Sequence, residues 1–418
     1  MFDQLFERPH ALIRMRTGPL VEERLRYLAH CAGQKMAKAT LRTMAQHLLA
    51  AAEYLKLAAR PGESITLQEI EEAGARWSSR ELPWRTMLQP RLSRQRFIHV
   101  AVGWLTFLNR LSVPARPAKT GDRMMVEFAD FMQKERGLAP STIEQRCFSV
   151  EEFLDQLCAA DRPLLAITVA DVDSVLANKV NEQQYARATV QTYASSLRSF
   201  FRYAETRGWC APGIAAAIMA PRVFQQESLP SAPSWGDVQK LLDSTSGDRP
   251  RAIRDHAILM LLAVYGVRAG EVARLQLDQI DWEGETISFT RSKLLGNHSL
   301  PLCQPVGAAI IRYLREARPT SPCREVFLTM RAPYRPIKSG TLWPVVGLRL
   351  RQIGATIKHH GPHSLRHACA TRLINEGLSL KEVGDHLGHR GPETTRIYAK
   401  VDLVRLREVA SFDLGGLL

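Results

Sequence analysis

Between Pro362 and Tyr398, signals that start and stop helices alternate so closely that three short helices are almost the only arrangement the segment allows. His363 and Arg366 are three residues apart and share a face on a helix. Gly377 suits the left-handed turn that ends this helix. Ser379-Leu380-Lys381-Glu382 has the form of a capping box that opens the next one. The second helix is expected to stop at Gly388, leaving His389 at its exit. Gly391-Pro392 marks a turn, Thr394 and Thr395 are helix starters, and Tyr398 follows His389 by nine residues. A segment folded this way aims His363, Arg366, His389 and Tyr398 at one place.

A second group of residues precedes it. Ala257 to Gly266 reads as an apolar helix that delivers Gly266-Val267-Arg268-Ala269-Gly270-Glu271. Glu271 lies one turn after Arg268, where it either orients the guanidinium or caps the following helix. Leu277 to Trp282, Thr286 to Thr290 and Ser299 to Leu302 read as a small antiparallel sheet, with Glu283-Gly284-Glu285 as its first turn. Lys293 sits at the start of the second turn, Arg291 to Asn297. Taken singly, these residues have plain readings: Arg268 with Glu271 as a surface ion pair, Lys293 as a backbone-phosphate contact, Tyr398 as a core aromatic.

Taken together they form a pattern. His-x-x-Arg at 363 and 366, Leu387-Gly388-His389, and Tyr398 nine residues on, all preceded by Gly-x-Arg-x-x-Glu at 266 to 271, resemble the signature of the tyrosine recombinases. These are the phage-integrase and Xer-type DNA strand-exchange enzymes. The resemblance implies catalytic roles for Arg268, Lys293, His363, Arg366, His389 and Tyr398. Many members carry Gly-Lys-Gly at the catalytic lysine; this chain has Ser292-Lys293-Leu294, so that assignment rests on position in the β-turn.

The implied chemistry explains the residue types. Tyr398 attacks a DNA phosphodiester and forms a phosphotyrosyl bond, releasing a hydroxyl on the other strand end. A phenol of pKa about 10 is a weak nucleophile and a tolerable leaving group, so the step is nearly reversible and needs no ATP. Arg268 and Arg366 donate paired hydrogen bonds to the non-bridging oxygens, and His389 adds a further donor. His363 suits acid/base work on the phenol proton, and Lys293 suits protonation of the departing hydroxyl. Cationic side chains thus stand in for a metal ion, and no cofactor is expected. The run Lys358-His359-His360 brings no acidic or cysteine ligand with it, which disfavours zinc.

The partners implied are double-stranded DNA recombination sites, a homotetramer in the synaptic complex with monomer or dimer when free, and accessory recombinases. Two rivals stay open at this point. One is a type IB topoisomerase-like enzyme that relaxes DNA; the other is a non-catalytic DNA-binding regulator on the same fold, disfavoured by the presence of all six residues. The long N-terminal region points to an integrase or recombinase of a mobile element.

Charge agrees with a polyanionic partner. There are 56 Lys and Arg against 42 Asp and Glu, a formal net charge of +14. Charge alone does not separate a nucleic-acid binder from a soluble basic protein. The seven cysteines are odd in number, scattered and without Cys-x-x-Cys, which argues for a reducing compartment. Met1-Phe2-Asp3-Gln4 has no apolar signal core, and the apolar run Ala257 to Tyr265 is far below the roughly 20 residues needed to cross a bilayer. The expectation is a cytoplasmic protein, nucleoid-associated when on DNA, with no membrane partner.

The expected fold is mainly α with a small antiparallel β-sheet: helical DNA-binding domains followed by a mixed α/β catalytic domain, closing as a C-shaped clamp on DNA. The divisions are an N-terminal helical region (1–115), a core-binding, SAM-like domain (120–217), a linker (218–233) rich in Pro, Ser and Gln, the catalytic domain (234–410) and a tail (411–418). Ser234 to Asp237 looks like the cap of the catalytic domain's first helix. Leu403, Leu406, Phe412 and Leu414 offer an apolar face that docks either on a neighbouring protomer or on the chain's own catalytic domain. Within the chain, Ile65-Thr66-Leu67-Gln68-Glu69-Ile70 aligns with Ile167-Thr168-Val169-Ala170-Asp171-Val172, and Thr40-Leu41 with Thr142-Ile143, both at an offset of 102 residues. Either the N-terminal region is a diverged second copy of the helical module, or two amphipathic bundles capped by Thr simply look alike. Helix order and packing decide between these.

Overall fold

A computed structural model of the chain describes residues 1–79, 90–112, 120–157, 163–223, 231–290, 297–389 and 391–398. Residues 113–227 form one compact unit; residues 1–112 and 228–418 together form another. Most of the described chain is helical, with one three-stranded antiparallel sheet and one short parallel pair of strands.

The N-terminal part contains α1 (Phe2–Leu5), α2 (Pro9–Thr17), α3 (Val21–Gly33), α4 (Lys38–Tyr54), β1 (Ile65–Thr66), α5 (Leu67–Ser78), α6 (Pro90–Phe107) and β2 (Leu111–Ser112). Its helices form because apolar residues recur at three- and four-residue steps: on α4, Leu41, Ala45, Leu48 and Ala52 are buried. Thr66 and Glu69 cap α5 reciprocally, as the Thr-x-x-Glu spacing requires. The pairing of β1 with β2, Ile65 opposite Leu111, carries no alternating pattern that sequence reading detects.

The middle unit contains α7 (Thr120–Lys134), α8 (Pro140–Leu157), α9 (Val169–Asn181), α10 (Arg187–Thr206) and α11 (Ile214–Ala217). Thr168 and Asp171 cap α9 in the same reciprocal way. Pro140 begins α8: proline's fixed φ and missing N–H suit a first helical position. Phe128, Phe153, Phe200 and Phe201 meet edge-on in its core.

The last part contains α12 (Trp235–Asp243), α13 (Pro250–Val264), α14 (Ala269–Arg274), β3 (Ile280–Asp281), β4 (Thr286–Thr290), β5 (Asn297–Pro301), α15 (Gln304–Arg312), α16 (Leu342–Gln352), α17 (Pro362–Asn375), α18 (Leu380–Leu387) and α19 (Pro392–Arg396). Ser234 and Asp237 form the capping box of α12. Helix α13 is apolar nearly all round, and Ala257, Ile258, Leu261 and Leu262 are wholly buried at the centre of the core. It also carries the fully buried Asp255, whose carboxylate accepts from Arg254 Nε and Nη2 at 3.0 and 2.7 Å and from Arg349 Nη2 of α16 at 2.8 Å. A buried carboxylate held by two guanidiniums ties α13 to α16, and removing one partner leaves an uncompensated charge. The sheet runs in the order β3-β4-β5, with Ile287 opposite Ile280 on one side and Leu300 on the other. The first strand is shorter than expected, because Leu277–Gln279 turns as a 3₁₀ helix. Tyr265 at the end of α13 donates to Pro301 O at 2.7 Å and accepts from Cys303 N at 2.9 Å, which pins the sheet's last strand to the helix that enters the site.

No helix among the described residues is long and apolar enough to cross a membrane. Cys31, Cys147, Cys210, Cys303, Cys323 and Cys369 are free. The stretch 113–117, the connector residues 224–230 and the tail beyond Tyr398 lie outside the described residues.

Candidate active site

The site is built where α13 ends and α17, α18 and α19 converge. Gly266 leaves α13 with φ +59°, and a Cβ there would stand 2.6 Å from Leu387 Cδ2 and 3.2 Å from Cys369 Sγ. Glycine is therefore needed both for the turn and for the close approach of α17 and α18. Two residues on, Arg268 is the N-cap of α14. Glu271 accepts from its backbone N–H at 2.8 Å and from its Nη1 at 3.0 Å, so the carboxylate both caps the helix and aims the half-exposed guanidinium. Both readings of Glu271 hold at once.

Arg366 joins the two motif groups. It is 2% exposed and donates through Nη1 to Gly266 O at 2.7 Å and through Nη2 to Leu387 O at 2.9 Å. Burial first, then repulsion from Arg268, lowers its pKa to about 10, so it is still a cation at neutral pH. Its fork thus clamps the loop that carries Arg268 to the end of the helix that presents His389. His363, one turn earlier on α17, is exposed; desolvation against its neighbours and the charges of Arg366 and Arg268 hold it below the usual histidine value.

Ser379 and Glu382 cap α18, and Gly388 ends it with φ +65°. His389 donates its backbone N–H to Gly384 O at 2.8 Å, and its Nδ1 is 2.7 Å from Thr395 Oγ1. Gly384 lets α19 come this close: a Cβ there would be 2.9 Å from Thr395 Oγ1. The expected helix starters Thr394 and Thr395 instead lie inside α19, which begins at Pro392 for the reason given at Pro140, leaving the Thr395 hydroxyl to hold His389.

Tyr398 closes the group. Its side chain is 1% exposed, its ring lies 6.4 Å from that of His389 at an interplanar angle of 4°, and its Oη is 2.8 Å from His367 Nδ1. Burial pushes the phenol to about 12, against the opposing pull of Arg366. His367 is lowered to about 4 by desolvation, with His363 and Arg366 adding to it. His367 is thus neutral at physiological pH, and a neutral imidazole Nδ1 is the natural acceptor for the phenol proton.

The structure therefore brings Arg268, His363, Arg366, His389 and Tyr398 together. Lys293 lies outside the described residues. His367 belongs to the same cluster and was not singled out in the sequence, although its place four residues after His363 puts it on the same face of α17. Its ring stacks edge-on against that of His363 at 4.5 Å. Among the described residues no group of His, Cys, Asp and Glu is arranged to hold a metal ion.

Comparison with known proteins agrees with this geometry. Residues 236–404 match the model of the phage integrase family, and residues 125–208 match the phage integrase N-terminal SAM-like domain. The chain is 38% identical over 281 residues to the putative integrase/recombinase y4rA of Sinorhizobium fredii, covering 67% of this chain and 68% of that protein. The chain belongs to the phage integrase family. It is also 30% identical over 292 residues to the tyrosine recombinase XerD of Pseudomonas aeruginosa, covering 68% of this chain and 94% of that one. The recombinase shares its fold with the XerH site-specific recombinase bound to a palindromic difH substrate, at a TM-score of 0.52 and 20% identity over 69% of this chain and 84% of that one. The Tn1549 transposon integrase in complex with transposon right end DNA gives 0.51 at 17% identity, over 69% of this chain and 99% of that one. These likenesses make the chain a site-specific tyrosine recombinase. They assign no role to any single residue.

Proposed function

We propose that this recombinase cuts and rejoins duplex DNA at specific sites through a covalent bond between Tyr398 Oη and a backbone phosphorus. The phenol oxygen attacks phosphorus, the bond from phosphorus to the adjoining sugar oxygen breaks, and a free hydroxyl is left on the other strand end. The phenol proton passes to His367 Nδ1, to which it is already hydrogen-bonded. Arg268 and Arg366 hold the non-bridging oxygens, with His389 as a further donor, so charge gathering on the phosphoryl group meets donors already in place. His363 relays protons beside His367, and Lys293 protonates the departing sugar oxygen. Rejoining reverses these steps with a hydroxyl from a second strand.

The single observation that carries this reading is the Tyr398 hydroxyl held beside Arg366, His367 and His389 at the meeting of three motif-bearing helices. The relatives' names support recombination sites on duplex DNA as the partner, and the names of an integrase/recombinase and a transposon integrase support a mobile element as the setting. Synapsis as a homotetramer, with accessory recombinases, completes the proposal. It is tested by incubating the full chain with nicked duplexes taken from the DNA flanking its gene and resolving the products on denaturing gels. A protein–DNA adduct that disappears in Tyr398→Phe, while binding persists, is the expected result. An adduct of undiminished yield in Tyr398→Phe would overturn the assignment of the nucleophile.

A further inference from the structure

We infer that residues 21–110 are a second copy of the helical DNA-binding module, and that this copy grips duplex DNA through the groove between α4 and α6. The inference rests on the proposed DNA partner for the meaning of the module, and its geometric part stands independently of it.

The helix order is the same in both stretches. α3, α4, α5 and α6 correspond to α7, α8, α9 and α10, with a 3₁₀ turn (Leu57–Ala59 and Leu164–Ala166) between the second and third helices of each. Three packing contacts recur, first helix on second, second on fourth and third on fourth; α4 also packs on α5, a contact that α8 and α9 lack at comparable strength. At the 102-residue offset the helix-ending left-handed residues coincide, Lys35 with φ +60° and Gly137 with φ +57°. The starts of α4 and α8 coincide too, Lys38 with Pro140, and so do the capping boxes Thr66–Glu69 and Thr168–Asp171.

Burial is the most discriminating match. Along the third helix the buried set Ile70, Ala73, Gly74 and Trp77 maps onto Val172, Val175, Leu176 and Lys179, with no buried position in one that is not buried in the other. Along the second, His47, Leu48 and Ala51 map onto Ser149, Val150 and Phe153. On α4 Leu41, Ala45, Leu49, Ala50 and Ala52 are buried as well, without buried counterparts on α8, so the full match belongs to the third helix; along the fourth the offset is 100, with Phe97, Val100, Ala101 and Trp104 on Leu197, Phe200, Phe201 and Ala204.

Each copy has a groove lined by its second and fourth helices, to which α3 adds Tyr27, His30 and Cys31 in the N-terminal copy only. In the middle unit it is lined by Ser141, Thr142, Gln145 and Arg146 of α8 facing Thr192 and Ser195 of α10. In the N-terminal part the 102-residue equivalents Ala39, Thr40, Thr43 and Met44 of α4 line it, facing Gln95 and Arg96 of α6. Neither groove has an Asp or Glu among its lining residues. The N-terminal groove has an apolar floor, with Met36, Met44 and Phe107 among its residues, and carries hydroxyl, amide and guanidinium groups on it; such groups without carboxylates suit a phosphate backbone. Ala332, Pro333 and Arg335 border the N-terminal groove and add one more cation. Charge supplies an independent argument. Residues 1–112 carry seventeen Lys and Arg against ten Asp and Glu, whereas residues 113–227 carry thirteen against fourteen. The N-terminal copy is thus the more strongly basic of the two, and Arg96 is exposed with no carboxylate partner among the described residues.

The test uses the full chain and a long random-sequence duplex, with affinity read by fluorescence anisotropy over a salt titration. Arg96→Glu is expected to weaken binding and lower the slope of log K against log salt by about one unit, the signature of one lost phosphate contact. Arg96→Lys should restore both, because a phosphate contact needs the charge and not the fork. Lys56→Glu makes the same charge change at an exposed position outside the groove and should leave the slope near wild type. An unchanged slope in Arg96→Glu, an equal fall in Lys56→Glu, or no rescue by Arg96→Lys would each overturn the inference. Adduct formation by Tyr398 on nicked sites is measured separately, so that a slope unchanged with adducts retained sinks the second DNA grip alone. Adducts absent with the slope lowered sink the catalytic reading alone.

Discussion

Gly266→Ala is expected to damage both stability and catalysis, and the two effects come from separable parts of one geometry. The backbone at Gly266 has φ +59°, a conformation that costs a residue with a Cβ about 1 kcal/mol. The added Cβ would also stand 2.6 Å from Leu387 Cδ2 and 3.2 Å from Cys369 Sγ, both in a buried cluster that cannot expand freely. Overpacking of this kind costs about 1–3 kcal/mol, and the free end of the Leu387 side chain absorbs some of it. The sum is about 2–3 kcal/mol, which lowers the catalytic domain's melting temperature by about 5–10 °C. Gly377→Ala is the internal control. Its φ is +96°, but nothing stands within 4 Å of a Cβ there, so only the backbone cost of about 1 kcal/mol applies. The consequence for the reaction follows from Arg366, which is anchored on the carbonyls of Gly266, the substituted residue, and of Leu387, whose side chain the new methyl meets. On the proposed mechanism, misplacing the Arg366 guanidinium by a fraction of an ångström is expected to reduce adduct formation by about 10- to 100-fold. Calorimetry of both variants and adduct yield on nicked duplexes are the measurements. Equal melting shifts for Gly266→Ala and Gly377→Ala, with adduct yield intact in both, would refute the packing argument and the role of Gly266 as the seat of Arg366.

Other outcomes follow from the same site. Thr395→Val removes the hydroxyl 2.7 Å from His389 Nδ1 and should slow adduct formation about 10-fold, the worth of one positioned hydrogen bond, with DNA affinity unchanged in a binding assay. Glu271→Ala frees Arg268 from both of its carboxylate contacts and should lower the cleavage rate about 10- to 100-fold while leaving thermal stability within about 1 kcal/mol. His367 has a folded pKa of about 4 against an ordinary 6.5, so the native state binds fewer protons than the unfolded one between those values. Stability from this residue is present above pH 6.5 and is lost as pH falls through 4, a change on the order of 3 kcal/mol. Urea denaturation across that range should show the loss in wild type and a smaller one in His367→Gln; equal acid sensitivity in the two would refute it.

What the sequence made legible was whatever depends on spacing along one helix or on a local turn. The capping boxes at Ser234, Thr66, Thr168 and Ser379, and the left-handed stops at Gly377 and Gly388, are where local chemistry places them, because each is decided within four or five residues. The convergence of His363, Arg366, His389 and Tyr398 was legible for the same reason. Three short helices with glycine ends leave little freedom for where their side chains point. What spacing does not contain is the contact between elements far apart in the chain. Asp255 with Arg349, Arg366 with the Gly266 carbonyl, and the 2.8 Å approach of His367 to Tyr398 join residues between 31 and 100 positions apart, and no periodicity encodes them. The missing element mattered most at the nucleophile. Family chemistry implies a reactive phenol, yet here the phenol is buried, pushed up to about 12, and paired with an imidazole lowered to about 4. Each of those shifts opposes transfer of the proton from Tyr398 to His367. Both arise chiefly from desolvation, and a phosphate beside Arg268 and Arg366 would act on them in opposite senses: its negative charge favours the imidazolium and lifts the histidine's pKa back, while it disfavours the phenolate and raises the phenol's further. An anion seated beside Arg268 and Arg366 would thus make His367 the better proton acceptor. The measurement that checks this is the pKa of His367, titrated by NMR with and without a bound non-cleavable duplex: a higher value in the complex is expected, and an unchanged or lower one would refute the effect of the phosphate charge.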